Sequence, residues 1–209
     1  MCRPRCRDRH VPERTAAPQP RNPRVITRRH VTDSTRSDAL YSDCEQYRYR
    51  LRRTWDPSGP DILFVMLNPS TATELRNDPT IERCERRARN SAFGRMTICN
   101  LFGWRATDPR DLKAATDPVG PCNDSVLLAS AKKAGMIVCA WGVHGDFRNR
   151  GRTVAQALAI IGPLHQIGLT RDGHPRHPLY LPYSKSPEPW RPAIRPDTPK
   201  RRNLQTSVG

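Results

Sequence analysis

The spacing of apolar residues changes period several times between Tyr41 and Ser184. Tyr47-Arg48-Tyr49-Arg50-Leu51-Arg52-Arg53-Thr54-Trp55 alternates apolar or aromatic residues with arginine. Alternation at period 2 predicts a strand with one wet, basic face. Asp56-Pro57-Ser58-Gly59-Pro60 is a turn signal. Asp61 to Leu67 is a continuous apolar run whose length fits a fully buried central strand. Pro69 ends it, because proline lacks the amide that a central strand needs. Asp78-Pro79-Thr80 predicts a helix start, with Asp78 as cap and Pro79 as first helical residue. That helix covers about 79–91, with Ile81, Cys84 and Ala88 inward and Arg83, Arg86, Arg87 and Arg89 mostly outward.

Met96 to Leu101 predicts the next strand, and Asp108-Pro109-Arg110-Asp111-Leu112 repeats the helix-start signal in a short turn. Cys122 to Ala134 reads as a helix with Asn123 as its cap. Met136 to Trp141 reads as a buried strand, Arg152 to Ile161 as a helix, and Leu164 to Leu169 as a short strand. Strands alternating with helices predict a three-layer α/β/α sandwich with a mostly parallel central sheet. In such sheets the loops leaving the carboxyl ends of the strands meet in one crevice. Asn68–Thr71, Gly103–Asp108, Gly142–Asp146 and His174–His177 all follow strands, so they are expected to converge.

Composition sets the limits of this domain. The chain has 209 residues, 36% of them hydrophobic, and mean hydropathy is low at -0.74. The polar excess lies at the ends. Residues 1–40 hold ten Arg against four acidic residues and show no periodicity, so a disordered basic extension is expected there. Residues 41–184 form the single α/β domain, and 185–209 a Pro-rich basic tail. The net charge of +16 favours nucleic acid or another anion as partner, and basic tails account for part of it. Seven cysteines, several in apolar contexts, do not form a disulfide framework. No apolar stretch is long enough to span a membrane, and no secretory signal is visible, so a cytoplasmic protein is expected. Cys2, Cys6 and His10 are spaced four apart, but three ligands without an ordered scaffold do not predict a metal site.

Asn68, Ser70 and Thr71 follow a buried strand directly. An Asn amide offers donors and an acceptor, and the hydroxyls can donate to a phosphate or a carbonyl. The alternative is an ordinary turn or cap. There is no Gly-x-x-x-x-Gly-Lys-Ser/Thr loop and no dinucleotide glycine fingerprint, which argues against nucleoside triphosphates and NAD; no cofactor is expected. Trp141 is a candidate to stack on a planar ligand or to cover the sheet edge. His144 and Asp146 are positioned to share a hydrogen bond, with His144 as acid or base. His174-Pro175-Arg176-His177-Pro178 holds two imidazoles and a guanidinium in a proline-stiffened loop. His174 and His177 are the acid/base candidates there and Arg176 a substrate contact. His-x-x-His lacks a carboxylate or cysteine partner in series, so no metal is expected. Asp78 and Asp108 each precede proline, and capping competes with catalysis at both. Arg105 is a candidate anion contact and Asp108 a candidate substrate contact.

Taken together, Tyr47-Arg48-Tyr49, Met66-Leu67-Asn68-Pro69-Ser70-Thr71-Ala72, Asp78-Pro79-Thr80, Asn100-Leu101-Phe102, Arg105-Ala106-Thr107-Asp108-Pro109, Asp117-Pro118-Val119-Gly120-Pro121, Ala140-Trp141-Gly142 and Gly173-His174-Pro175-Arg176-His177-Pro178-Leu179-Tyr180 resemble the DUF1643 family, a domain of unknown function. The likeness covers about residues 41–184. A weaker resemblance links Asn68-Pro69-Ser70, Trp141-Gly142 and the His-Pro pairs to motifs of the uracil-DNA glycosylase superfamily. That likeness implies a base-flipping fold in which Asn68 positions water or the base. His174 or His177 would stabilise the departing base anion, and Trp141 or Phe102 would stack. The activating Asp of the commonest first motif is absent, and no serine follows either His-Pro pair. Three function classes therefore stand side by side. They are a protein acting on a nucleobase, nucleotide or DNA, a non-catalytic nucleic-acid or nucleotide binding module, and a small-molecule hydrolase or transferase.

Overall fold

A computed structural model describes residues 24–192. The Cys2, Cys6 and His10 spacing and the ends of both tails lie outside the described residues. Eight strands form one sheet: β1 (Val25–Val31), β2 (Arg36–Ser42), β3 (Arg48–Thr54), β4 (Asp61–Met66), β5 (Arg95–Asn100), β6 (Met136–Cys139), β7 (Leu164–Gln166) and β8 (Glu188–Trp190). Their order is β1-β2-β3-β5-β4-β6-β7-β8. The helices are α1 (Pro79–Asn90), α2 (Pro109–Ala114), α3 (Asn123–Ala131) and α4 (Arg150–Ala159).

The sheet is mixed, which corrects the expectation of a mostly parallel one. β5, β4, β6 and β7 run parallel, while β1, β2 and β3 form an antiparallel meander joined to β5, and β8 closes the other edge antiparallel to β7. Short connections at Thr32–Thr35 and Asp43–Tyr47 leave no room for a crossover, so these strands must run antiparallel. β1 and part of β2 fall within the segment expected to be disordered, and β8 falls within the expected tail. β1 is exposed along nearly its whole length. It is held by backbone pairing to β2 rather than by an apolar face, so hydrophobic periodicity carries no sign of it.

Helices cover both faces. Ile81, Cys84 and Ala88 of α1 pack on Ile62, Phe64, Met66, Met96 and Ile98. Leu112 of α2, Leu127 and Ala131 of α3, and Val154, Ala155 and Leu158 of α4 pack on Leu63, Val65, Cys99, Ile137 and Cys139. β4 sends its crossover helix to one face, and β6 sends α4 to the other. The sheet therefore has a topological switch point between β4 and β6, where the carboxyl ends of an open α/β sheet leave a crevice.

Two local expectations change. Asn123 is not a cap: Cys122 holds that position without a side-chain bond. Asn123 is fully buried, and its amide donates to Asn100 O at 3.0 Å and Leu101 O at 3.2 Å, tying α3 to the end of β5. Arg87 faces inward, with its guanidinium donating to the carbonyls of Leu181, Pro182 and Lys185 at 2.8 to 2.9 Å. A strap of chain that turns several carbonyls toward the helix draws the cation in, where helical spacing alone sends it out.

Candidate functional site

The end of β4 is laced to the chain leaving β5. Leu101 N donates to Met66 O at 2.8 Å, Phe102 N to Leu67 O at 3.0 Å, and Ala106 N to Pro69 O at 2.9 Å. The Asn68 amide completes this seam, donating to Pro69 O at 3.0 Å and Ala106 O at 2.7 Å. Both of its amide hydrogens are thus engaged, and only Oδ1 is left to accept from a ligand. Ser70 Oγ meets Thr107 Oγ1 at 3.2 Å.

β6 leaves through Ala140-Trp141-Gly142. Gly142 has φ of +71°, a region that side chains seldom adopt, and its N–H donates to Pro175 O at 2.7 Å. This bond brings the His174–His177 loop against the sheet end. His177 then caps a 3-10 turn over Pro178–Tyr180, its Nδ1 accepting from Leu179 N at 3.4 Å. That bond leaves the imidazole proton on Nε2. Burial lowers the His177 pKa, and nearby Asp78 opposes the shift, so the ring is neutral at pH 7.

These loops enclose a cavity of about 480 Å³ at the switch point. Its walls include Asn68, Ser70, Asp78, Thr107, Trp141, His144 and His177. Asp78 caps α1 by accepting from Thr80 N and Ile81 N, both at 2.9 Å. The helix N-terminus is therefore already satisfied, and it is the side-chain groups that face a ligand.

Trp141 also walls a second cavity of about 370 Å³, with Asp146, Arg152, Asp172, His174 and Trp190. The two imidazoles of one loop are thus divided between two cavities. Asp146 does not bond His144 as the sequence suggests; its Oδ2 lies 3.9 Å from His174 Nε2 instead. The short 3-10 turn after Gly142 places the residues at i and i+2 on different sides.

Four expected contacts lie outside the walls of the first cavity. Thr71 is exposed. Arg105 turns away: its guanidinium donates to Glu45 O at 3.1 Å and lies 5.5 Å from the centre of the Tyr41 ring. Asp108 caps α2, accepting from Arg110 N at 2.7 Å and pairing with the Arg110 side chain. Arg176 is exposed.

Arg48 and Asn100 occupy this region without an obvious signal. Alternation assigns Arg48 to the wet face of β3. The β2–β3 register instead steps from Leu40 opposite Arg50 to Tyr41 opposite Arg48, leaving Tyr49 as an extra residue. Such a bulge reverses the facing of what precedes it. Arg48 therefore shares the side of the core residue Tyr41, is 2% exposed, and lines the first cavity. Its Nη1 donates to Ala72 O, while Nε is buried without a partner. Burial pulls its pKa down to about 10, with Tyr41 and Asp78 opposing the shift. Asn100 sits in register beside Met66, a cavity wall, with both amide atoms buried and unpaired.

No group of His, Cys, Asp and Glu suited to holding a metal ion occurs among the described residues, and no helix among them is long and apolar enough to cross a membrane. No curated protein and no solved structure matches the chain, so the comparisons add nothing to the likeness to uracil-DNA glycosylases. The family model described as "Protein of unknown function (DUF1643)" matches residues 48–179, from the buried Arg48 through the His177 loop, and the chain belongs to that family.

Proposed function

We propose that the protein binds a nucleobase- or nucleotide-like small molecule in the cavity between the ends of β4 and β6. The observation that carries this reading is the convergence of Asn68, Ser70, Asp78, Thr107, His144 and His177 on one cavity at the switch point of the sheet. Its volume of about 480 Å³ lies within the range of small-molecule sites, roughly 300–1,000 Å³. Trp141 supplies an aromatic wall, Asn68 Oδ1 an acceptor and His177 Nε2 a donor. That mixture of a flat apolar surface with a few oriented polar groups suits a polar heterocycle.

Calorimetric titration with uracil, guanosine, their nucleoside 5′-monophosphates and the ring acid orotate tests the reading. One of these is expected to bind saturably, with at least about tenfold loss of affinity in His177→Ala. Affinities unchanged in both His177→Ala and Ser70→Ala, or no binding of any probe, would remove the proposal.

The neutral state of His177 favours a second, catalytic reading. A neutral imidazole with its proton on Nε2 is suited to hydrogen-bond a departing base anion. Release of free base from uracil- or hypoxanthine-containing DNA, lost in His177→Ala, is the expected result. Intact DNA after prolonged incubation with the wild-type protein would leave binding alone.

A further inference from the structure

Arg48 is the least compensated charge bordering the cavity. It is 2% exposed, and no carboxylate lies within 4.0 Å of its guanidinium among the described residues. Asp78 acts on it only at longer range. One nitrogen, Nη1, is spent on Ala72 O. Nε is buried and unpaired, and Nη2 makes no hydrogen bond among the described residues. A buried guanidinium without an ion pair is costly to keep charged. The other deeply buried arginines of this face are treated differently. Arg53 donates to Thr73 O at 2.6 Å and Asn77 Oδ1 at 3.0 Å; Arg87 shares the buried, unpaired Nε, but both of its Nη nitrogens are spent on carbonyls of the 181–185 strap. Arg48 alone of the three borders the cavity.

Of the Nε–Nη2 edge, whose two nearly parallel N–H groups can receive the two oxygens of a carboxylate side by side, Nε is closed to solvent in the unliganded fold and Nη2 is the nitrogen open to a ligand. Asn100, in register beside the cavity wall Met66, is buried and unpaired but is not itself a wall of the cavity. A phosphate dianion fits less well, since Asp78 lines the same cavity and repels a second negative charge.

We propose that Arg48 receives a carboxylate of the molecule bound in this cavity, so that the ligand is a planar ring acid rather than a neutral base. The assignment rests on reading the cavity as a ligand site and narrows its ligand class. Arg48 is then a binding residue, and its cost to the unliganded fold is recovered when the acid enters.

The test uses the full chain at constant ionic strength, with benzoate and orotate as carboxylate probes, uracil as the neutral counterpart of orotate, and inorganic phosphate as the tetrahedral anion. Melting temperature and calorimetric affinity are read for wild type, Arg48→Met and Arg48→Lys. Orotate is expected to bind wild type saturably and to lose at least about tenfold in affinity in Arg48→Met. Arg48→Lys keeps the charge but not the fork, and lies between them. Arg48→Met without ligand is expected to melt within about 4 °C of wild type, because loss of the bond to Ala72 O is offset by removal of an unpaired buried charge. A much lower melting temperature in both variants, with no carboxylate effect on wild type, makes Arg48 a structural pin and overturns the proposal. Equal binding of uracil and orotate, unchanged by Arg48→Met, overturns it while leaving the cavity reading intact. Binding of phosphate in place of the carboxylates overturns the choice of a planar acid. Failure of every probe removes both readings.

Discussion

The cavity between β4 and β6 and the one beyond Trp141 each hold one histidine of the same five-residue loop, yet they handle charge differently. In the first, burial keeps His177 neutral, and Arg48, another of its walls, has lost nearly all contact with solvent. In the second, His174 faces an Asp146 side chain that is 79% exposed, at 3.9 Å. Water screens that pair, and such exposed pairs contribute roughly 0–1 kcal/mol. Burial therefore separates two sets of similar residue types. Of these two cavities, the first alone has, among the described residues, a buried polar atom with unmet hydrogen-bonding capacity in its wall, which is the reason to prefer it as the site.

The largest effect is expected at the wall between the cavities. Trp141 is 3% exposed and packs edge-on against Trp190 with ring centres 5.7 Å apart. Trp141→Ala is expected to destabilise the fold by about 3–5 kcal/mol and to merge the two spaces, as measured by denaturant unfolding. A cost below about 1 kcal/mol would mean that the wall carries no packing. Asn68→Ala comes next. It leaves Pro69 O and Ala106 O without their donor, and a loss of about 1–3 kcal/mol is expected in the same measurement. Asn68→Asp tests the pinning role directly, since a carboxylate cannot donate to either carbonyl, and should destabilise at least as much as Asn68→Ala.

Acid sharpens the comparison between the histidines. Burial holds His177 below its usual 6.5. In the pH window just below 6.5 the unfolded chain therefore takes up a proton that the folded site resists. Stability contributed by this group is present above that window and is lost as pH falls through it. Wild type should lose stability on acidification from pH 7 to 5, and His177→Gln should lose measurably less; parallel curves would show that His177 does not titrate in this way. The smallest effect belongs to the second cavity. Asp146→Asn should change unfolding free energy by no more than about 0.5 kcal/mol, and a larger loss would show that the exposed pair is coupled to the core.

Much of the domain is written in local pattern. The continuous run of β4, the Asp-Pro starts of α1 and α2, and the apolar stripe of α4 each follow from short-range rules, because the periodicity of burial matches that of the element. The meeting of Asn68, Ser70, His144 and His177 at one cavity was legible from their place just after strands or in a proline-stiffened loop. Arg48 was not, because a single bulge of register changes which face a side chain meets, and the bulge is defined only by pairing with β2. Asn100 was hidden for a related reason: an Asn ending an apolar strand looks like a turn residue until Met66 is found beside it.

Local pattern is enough to specify the parallel core, the helices that flank it and the loops at the carboxyl ends of β4 and β6. Those features depend on hydrophobic spacing and on proline and glycine chemistry within a few residues. The antiparallel edges, the division of the two histidines between separate cavities and the burial of Arg48 arise only in the assembled sheet. These depend on backbone pairing and strand register across the sheet, which join residues far apart in the chain and leave no local periodicity.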